Sequence, residues 1–530
     1  MPQYAPAVQG GVTRRPRRPR ERRIERTWPA GHSLAVEAAV ARDDLVHERD
    51  DGAGRFVQDE GPFVSYERTV QATSRATTER TTYRLNVPWF GWLFALPVRW
   101  SIARRGRVHD TARHGTPWWA PPDRLTQRQL TVLGLLAAAS MSSAFINTLF
   151  TQTVEFAADD FGVGKSGVGV AGAIVRAGIV LVLPVALLAD RTGRRRVIVA
   201  TAIAAPIVTA AGALAPTFPL LVATQTIGRP LGLALDFMIA VVAAEEMPRN
   251  SRAYAISVLA MASGLGAGVA VGALPLADLG DSAWRFVYVV ALFWLLVAVD
   301  IARRLPETER FERPHVVAPP LDRGRFGVVA AVAMLSNLFI APASFFQNGY
   351  LEDERGFSAT RIAVFTLVTG TPAVIGLIVG GRLADMSGRR RLIAVGLPTA
   401  AALLVTSYSL GGSPMWISVV LAGIVGGMAF PALAVYRAEL FPTGNRGRAS
   451  GYLTAAALLG GIGGLLATGW LLDHGRSHGV VLGGLSTAQI VVVLVVLRWF
   501  PETAHRELED INPLDAGDFR AAAVVSNREG

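Results

Sequence analysis

From Leu130 to Trp499 the chain is a succession of apolar stretches, each roughly 20 residues long, rich in Leu, Val, Ala, Ile and Gly and separated by short polar or charged stretches. A helix rises 1.5 Å per residue, so each stretch reaches across a hydrocarbon layer ~30 Å thick. Twelve are present, at 130–153, 166–189, 197–215, 218–244, 254–276, 284–302, 326–349, 360–382, 392–411, 414–437, 449–473 and 478–499. In lipid a peptide group must find its hydrogen bond within the protein, which restricts such segments to helices. The prediction is an all-α polytopic membrane protein with twelve transmembrane helices. Composition agrees: of 530 residues, 51% are hydrophobic and 18% charged, unlike a soluble domain of this size.

The formal net charge of +11 invites a nucleic-acid reading, which its distribution excludes. Arginines collect in alternate loops: Arg191, Arg194, Arg195 and Arg196, then Arg249 and Arg252, Arg303 and Arg304, 389–391, and Arg446 and Arg448. The intervening loops carry Glu155, Asp159 and Asp160, then Asp278 and Asp281, then Glu352, Asp353 and Glu354. By the positive-inside rule the arginine loops are cytoplasmic, and twelve spans put both termini there, in a plasma (inner) membrane. Cysteine is absent, which removes disulfides, thiolate catalysis and Cys-ligated metals. No cofactor, metal or enzymatic chemistry is indicated.

The region before the first span differs. "RRPRRPRERRIER" (14–26) is basic and proline-broken, and residues 1–60 read as a disordered cytoplasmic arm able to attract anionic lipid. "FVSYERTVQA" and "TTERTTYRLNV" alternate apolar or β-branched with polar residues, as two strands of a hairpin do. "PWFGWLFALPVRW" (88–100) is apolar but too short to span, and its tryptophans suit the membrane interface. Residues 61–125 therefore read as a small cytoplasmic α+β module against the bilayer. Beyond it the expected divisions are a six-helix bundle (126–310), a central loop (311–325), a second six-helix bundle (326–512) and a cytoplasmic tail (513–530).

Two six-helix units follow from internal repetition. "LADRTGRRR" at 188–196 returns as "LADMSGRRR" at 383–391, Asp190 and Asp385 standing 195 residues apart. Glu245, with Pro248 and Arg252 after it, returns 194 residues later as Glu439 with Pro442 and Arg446. Pro306-Glu307-Thr308 returns 195 residues later as Pro501-Glu502-Thr503. Three landmarks share one period to within a residue.

These phrases resemble those of the major facilitator superfamily of secondary transporters, in particular its sugar-porter and metabolite:proton symporter branches. Its loop signature is Gly-x-x-x-Asp-Arg-x-Gly-Arg-Arg. Gly381, Asp385, Gly388, Arg389 and Arg390 match in the second copy, where Met386 replaces an arginine; Asp190, Arg191, Gly193, Arg194 and Arg195 match in the first, where Ala186 replaces the glycine. The resemblance implies two bundles that alternately open to either side, held at the cytoplasmic face by breakable charge contacts. Glu245, Arg252, Glu307 and Arg194 or Arg195 would form one cluster; Glu439, Arg446, Glu502 and Arg389 or Arg390 the other. Asp190 and Asp385 would face a helix N-terminus in the opposite half.

Ionisable residues deep in a span are rare and usually functional. Arg176 lies midway along the second stretch, and Arg229 and Asp236, two turns apart and on one face, midway along the fourth. They read either as a central site for an anionic group and a proton or as a structural Arg–Asp pair. Asn147, Gln152, Asn337, Gln347, Asn348 and Tyr436 are further candidates for hydrogen bonds to a solute. The expected function is transport of a small organic solute, coupled to protons, by a monomer in the bilayer. The alternatives are an efflux antiporter and a non-transporting sensor that signals through residues 1–125.

Overall fold

The computed structural model describes residues 21–104, 117, 119–121, 123–182, 184, 185, 188, 192–248, 251–307, 322–441 and 446–502. They fall into two compact units, one of residues 1–138 with 240–259 and one of 139–239 with 260–530.

The first unit contains a five-stranded antiparallel sheet. Its strands are β1 (Arg22–Pro29), β2 (His47–Asp50), β3 (Arg55–Glu60), β4 (Phe63–Ala72) and β5 (Ala76–Leu85), in the order β1-β5-β4-β3-β2. β4 and β5 are the expected hairpin, with Tyr66 opposite Tyr83 and Val70 opposite Glu79. Two helices, α1 (Ser33–Ala38) and α2 (Gly91–Ala103), complete the module. Val98 and Ile102 of α2 pack with Val46, Phe63, Tyr66 and Tyr83 in an apolar core.

Residues 22–60, expected to be part of a disordered arm, instead supply three strands and a helix; 1–20 lie outside the described residues. The reason is a second, charged core that composition disguises. Arg68, with no exposed surface, donates to Glu48 Oε2 at 2.6 Å and Oε1 at 2.8 Å, to Glu79 Oε1 at 3.2 Å, and to the carbonyls of Ala38 at 2.7 Å and Val40 at 2.9 Å. Tyr66 donates to Glu48 Oε1 at 2.6 Å. A buried guanidinium whose donors are all engaged ties α1, β2, β4 and β5 together, where a sequence reader sees only solvated charges.

This unit also holds the start of the first span. Gln127 Nε2 donates to the Asn86 carbonyl at 3.1 Å, and Gly134 lies against Pro88, where any side chain would collide with the proline. The connecting residues lie along the turn after the fourth span: Asp123 N donates to Ser251 Oγ at 2.9 Å, and Tyr254 Oη to the Trp119 carbonyl at 3.1 Å.

Among the described residues eleven helices are long and apolar enough to cross a membrane: Gln127–Phe161, Arg194–Leu214, Phe218–Ala243, Tyr254–Leu279, Trp284–Arg304, Arg323–Asp353, Ala359–Leu377, Arg389–Ser409, Gly412–Phe430, Gly451–Asp473 and His478–Trp499. They correspond to the first and the third to twelfth expected spans. The second is represented by a helix, Lys165–Ala177, continued by a 3-10 turn, Gly178–Leu181; part of its remainder lies outside the described residues.

The charged core of the module carries a prediction. Burial pushes the Glu48 carboxyl up, but the bonds from Arg68 and Tyr66 outweigh it and hold the group below the ordinary carboxylate range. A carboxyl lowered on folding stabilises fully above its unfolded value, about 4.3, and the contribution is lost as pH falls through the lower folded value. Arg68→Ala, which strands Glu48, should cost about 3–5 kcal/mol at pH 7. Hydrogen exchange over residues 22–104 should rise in the variant at pH 7, and in the parent protein only below about pH 4.

Candidate functional site

At the arginine-rich end, each copy of the repeated loop ends in a glycine that precedes a helix. Gly193 (φ 98°) stands before Arg194–Ala211 and Gly388 (φ 94°) before Arg389–Ser409, a left-handed conformation that a side chain resists. Neither glycine has a side chain to cap the exposed N–H groups. Glutamates from elsewhere do so: Glu307 Oε1 accepts from Arg195 N at 3.1 Å, while Glu502 Oε1 and Oε2 accept from Arg389 N at 2.9 Å and Arg390 N at 3.2 Å. The Arg195 side chain returns the favour to the sixth span, donating to the carbonyls of Leu305 and Ala302, each at 2.7 Å. Glu307 and Glu502 thus bond helix N-termini within their own halves, rather than serving only as partners of arginine side chains.

The other members of the expected gating clusters are less fully defined. Arg194 opens its helix, and Glu245 lies in the last turn of Phe218–Glu246. Arg252 and Arg446 each begin a helix, Glu439 ends one, and Gly381 and Asp385 belong to Ala373–Ser387. The side chains of Glu245, Arg252, Asp385, Glu439, Tyr436 and Arg446 lie outside the described residues, as do Asp190 and Arg191 altogether.

At the acidic end the bonds run between the halves. Lys165, at the start of the second span, lies 2.8 Å from Glu155 Oε2 of the first span and 2.7 Å from Asp353 Oδ2 of the seventh. Asn348 Nδ2 donates to the Gln152 carbonyl at 2.8 Å and to its Oε1 at 3.1 Å. Asp278, after the fifth span, caps the eighth, accepting from Ala359 N at 2.7 Å and Thr360 N at 2.8 Å. Asp473, ending the eleventh, caps the second, accepting from Ser166 N at 2.8 Å. This end is shut. Gln152 and Asn348, expected to serve a solute, are spent on the closure.

Sequence reasoning missed Lys165, Asp278 and Asp473 as contacts between halves. Two signals were present. Lys165 is the only lysine in a chain whose Lys and Arg total 52, and Asp278 and Asp473 repeat the 195-residue spacing.

Inside the bundle, Arg176 shares a helical face with Gly169 and Gly172, which abut Leu465 and Phe345 of the eleventh and seventh spans, and its guanidinium lies beside Gly461. Its Nε is buried without a hydrogen-bond partner. Gly178, two residues after Arg176, abuts Thr226 and Pro230 of the fourth span, the second of which adjoins Arg229. Neither arginine meets a carboxylate within ion-pair distance among the described residues. Asp236 forms no pair with Arg229 and is exposed; at about 100° per residue it stands half a turn around the helix from Ile227, which is also exposed. Gly232, one turn before Asp236, shares its side of the helix. Gly232, on that face, abuts Ile146 and Asn147; Asn147 Nδ2 donates to Ser143 Oγ at 3.2 Å, and its Oδ1 is buried and unpartnered. Asn337 Nδ2 donates to the Ala333 carbonyl of its own helix at 3.1 Å. Gln347 borders a separate, largely apolar cavity of about 390 Å³ within the second half.

The family model described as Major Facilitator Superfamily matches residues 135–347 and again 326–517. The chain belongs to that superfamily. A relative from Escherichia coli (strain K12), a 3-(3-hydroxy-phenyl)propionate transporter, is 30% identical over 342 residues, 60% of this chain and 82% of its own. A cis,cis-muconate transport protein of Acinetobacter baylyi is 28% identical over 190 residues, 32% of this chain and 46% of its own. An inward-open structure of the E. coli xylose transporter shares the fold, with a TM-score of 0.61 at 16% identity, covering 73% of this chain and 99% of that one. As a member of the superfamily the chain is a membrane transporter.

In this transporter the borrowed caps are testable at the arginine-rich end. Glu502→Ala removes the carboxylate from two N–H groups and should cost about 1 kcal/mol, within the range for lost helix caps. Gly388→Ala should cost at least as much, because its backbone (φ 94°, ψ 135°) suits only glycine and an added Cβ would push on the capping Glu502 carboxylate. Both are read as lowered melting temperatures of the detergent-purified protein, with Arg390→Gln, which keeps the backbone cap, as the smaller effect.

Proposed function

We propose that this transporter imports an organic carboxylate together with a proton, by alternating access, across an inner membrane with the arginine-rich end cytoplasmic. The carrying observation is the pair Arg176 and Arg229, on two spans that pack together at Gly178 and Pro230 and without an acidic partner among the described residues. Two like charges in a low-dielectric interior repel each other and lack solvation, and a carboxylate placed between them relieves both costs through charge-assisted hydrogen bonds. Asn147 Oδ1, unpartnered beside the same face, offers an acceptor to a hydroxyl on the solute. Propionate and muconate in the two relatives' names denote carboxylates, which supports the class.

Energetics favour coupling. An inside-negative potential opposes entry of an anion by about 2.3 kcal/mol per charge per 100 mV, and a proton moving with it cancels that term. The closed acidic end is then the outer gate, shut by Lys165, Asn348, Asp278 and Asp473, and the solute leaves toward the arginine-rich end.

Proteoliposomes loaded at neutral pH and diluted into acidic buffer should accumulate labelled 3-phenylpropionate or benzoate and exclude xylose. Arg229→Gln should lower carboxylate uptake at least tenfold, the equivalent of about 1.4 kcal/mol or more, with Arg229→Lys in between. Xylose uptake, or unchanged carboxylate uptake in Arg229→Gln, would overturn the assignment.

A further inference from the structure

At the acidic end a polar cavity of about 430 Å³ opens between the halves, bordered by Asp159 and Asp160 of the first span, Asp278 and Asp281 beyond the fifth, and Glu352 of the seventh. Not all of its carboxylates are committed. Asp160 accepts from Trp284 Nε1 and Ser282 Oγ, each at 3.0 Å, and Asp278 caps a helix. Glu354, just beyond, bonds His478 Nδ1 at 2.6 Å. What remains is Glu155, Asp159, Glu352 and Asp353 around one cation, Lys165. Glu155 is 1% exposed; one oxygen meets Lys165, while the other, Oε1, is buried against Gly349 with no hydrogen-bond donor. Glu352 Oε2 is likewise buried without a donor. Four carboxylates against one ammonium leave the group three negative charges in excess, two of them on side chains with an oxygen cut off from water.

We infer that Glu155 and Glu352 form a binding site for one exchangeable proton, filled from the acidic cavity. The proton adds to an unpartnered carboxylate oxygen and converts it into the hydroxyl of a neutral acid. On Glu155 it removes the charge that ties the first span to the second and leaves Lys165 with Asp353 alone, so filling the site frees the first span from Lys165 while that lysine still joins the halves. This rests on the proton-coupled reading above, but its test does not need the solute. Infrared difference spectra of the full chain in nanodiscs, recorded across a pH step without any carboxylate, should show a protonated-carboxyl C=O band that Glu155→Gln or Glu352→Gln removes. Both variants should then lose pH-driven accumulation of 3-phenylpropionate at least tenfold while retaining exchange. A spectrum without the band, or a band intact in both variants, overturns the site; a band present with no carboxylate transport leaves the site standing and overturns the solute assignment.

A separate observation concerns the module. Trp92, Leu93, Leu96 and Trp100 lie within about a third of a turn on one face of α2, Trp92 and Leu96 being 75% exposed, and Trp89 is exposed in the turn before it. Arg99 is exposed beside them, and the Arg104 guanidinium stacks on Trp100 at 4.2 Å. The start of this segment is fixed: Pro88 lies on Gly134, seven residues and about 10 Å into the first span, and one turn beyond its first apolar residue, Leu130. That level is the edge of the hydrocarbon. We propose that this face of α2 rests in the bilayer interface, tryptophans among the headgroups and Leu96 below them. The chain has no cysteine, so a single spin label at Leu96→Cys reports alone. In nanodiscs it should be reached better by oxygen than by a water-soluble nickel chelate, the reverse of a label at Val36→Cys, which is exposed on α1. Equal chelate access at both positions, or a short label-to-label distance that shows a second copy on this face, overturns it.

Discussion

A helix that starts inside or at the edge of a membrane leaves N–H groups which lipid cannot satisfy, and this protein meets that demand with carboxylates borrowed from other helices. Glu307 and Glu502 cap the third and ninth spans, and Asp278 and Asp473 cap the eighth and second. Each bond joins the field of a helix terminus to a full negative charge, so it is stronger than a neutral cap and directional enough to set how two helices meet. The four caps obey the internal repeat: 195 residues separate Glu307 from Glu502 and Asp278 from Asp473.

The four divide by what they join. At the arginine-rich end the donor helix and the carboxylate belong to the same half, so these bonds keep each bundle rigid. At the acidic end they link opposite halves, and there the same chemistry is reversible, because water entering the interface can replace the carboxylate at the helix start. Lys165 adds a point charge between Glu155 and Asp353, and Asn348 to Gln152 adds neutral bonds, so the closure combines ionic contacts with neutral ones.

The bundle was legible from period and length because lipid imposes both. The repeated phrases also located Glu307 and Glu502, although their partners are backbone N–H groups that no side-chain pattern announces. Residues 22–60 were illegible for the opposite reason: nothing in the sequence marks Glu48 as the buried partner of Arg68, and only the fold shows them together. Arg229 and Asp236, read either as a central site or as a structural pair, form no ion pair; two turns on one helix share a direction without being within reach. Gln152 and Asn348 show that a polar residue in a span belongs as readily to a seam between helices as to a solute, a choice made by the neighbouring helix and not by the residue.

The single lysine has a use beyond its role in the closure. Lys165 is the only ε-amine of the chain, four-fifths shielded between two carboxylates when the acidic end is shut. A protease that cuts after lysine therefore has one target in these 530 residues, and the carboxylates on either side shield it. Cleavage there reads the shielding of this one residue without introducing a label.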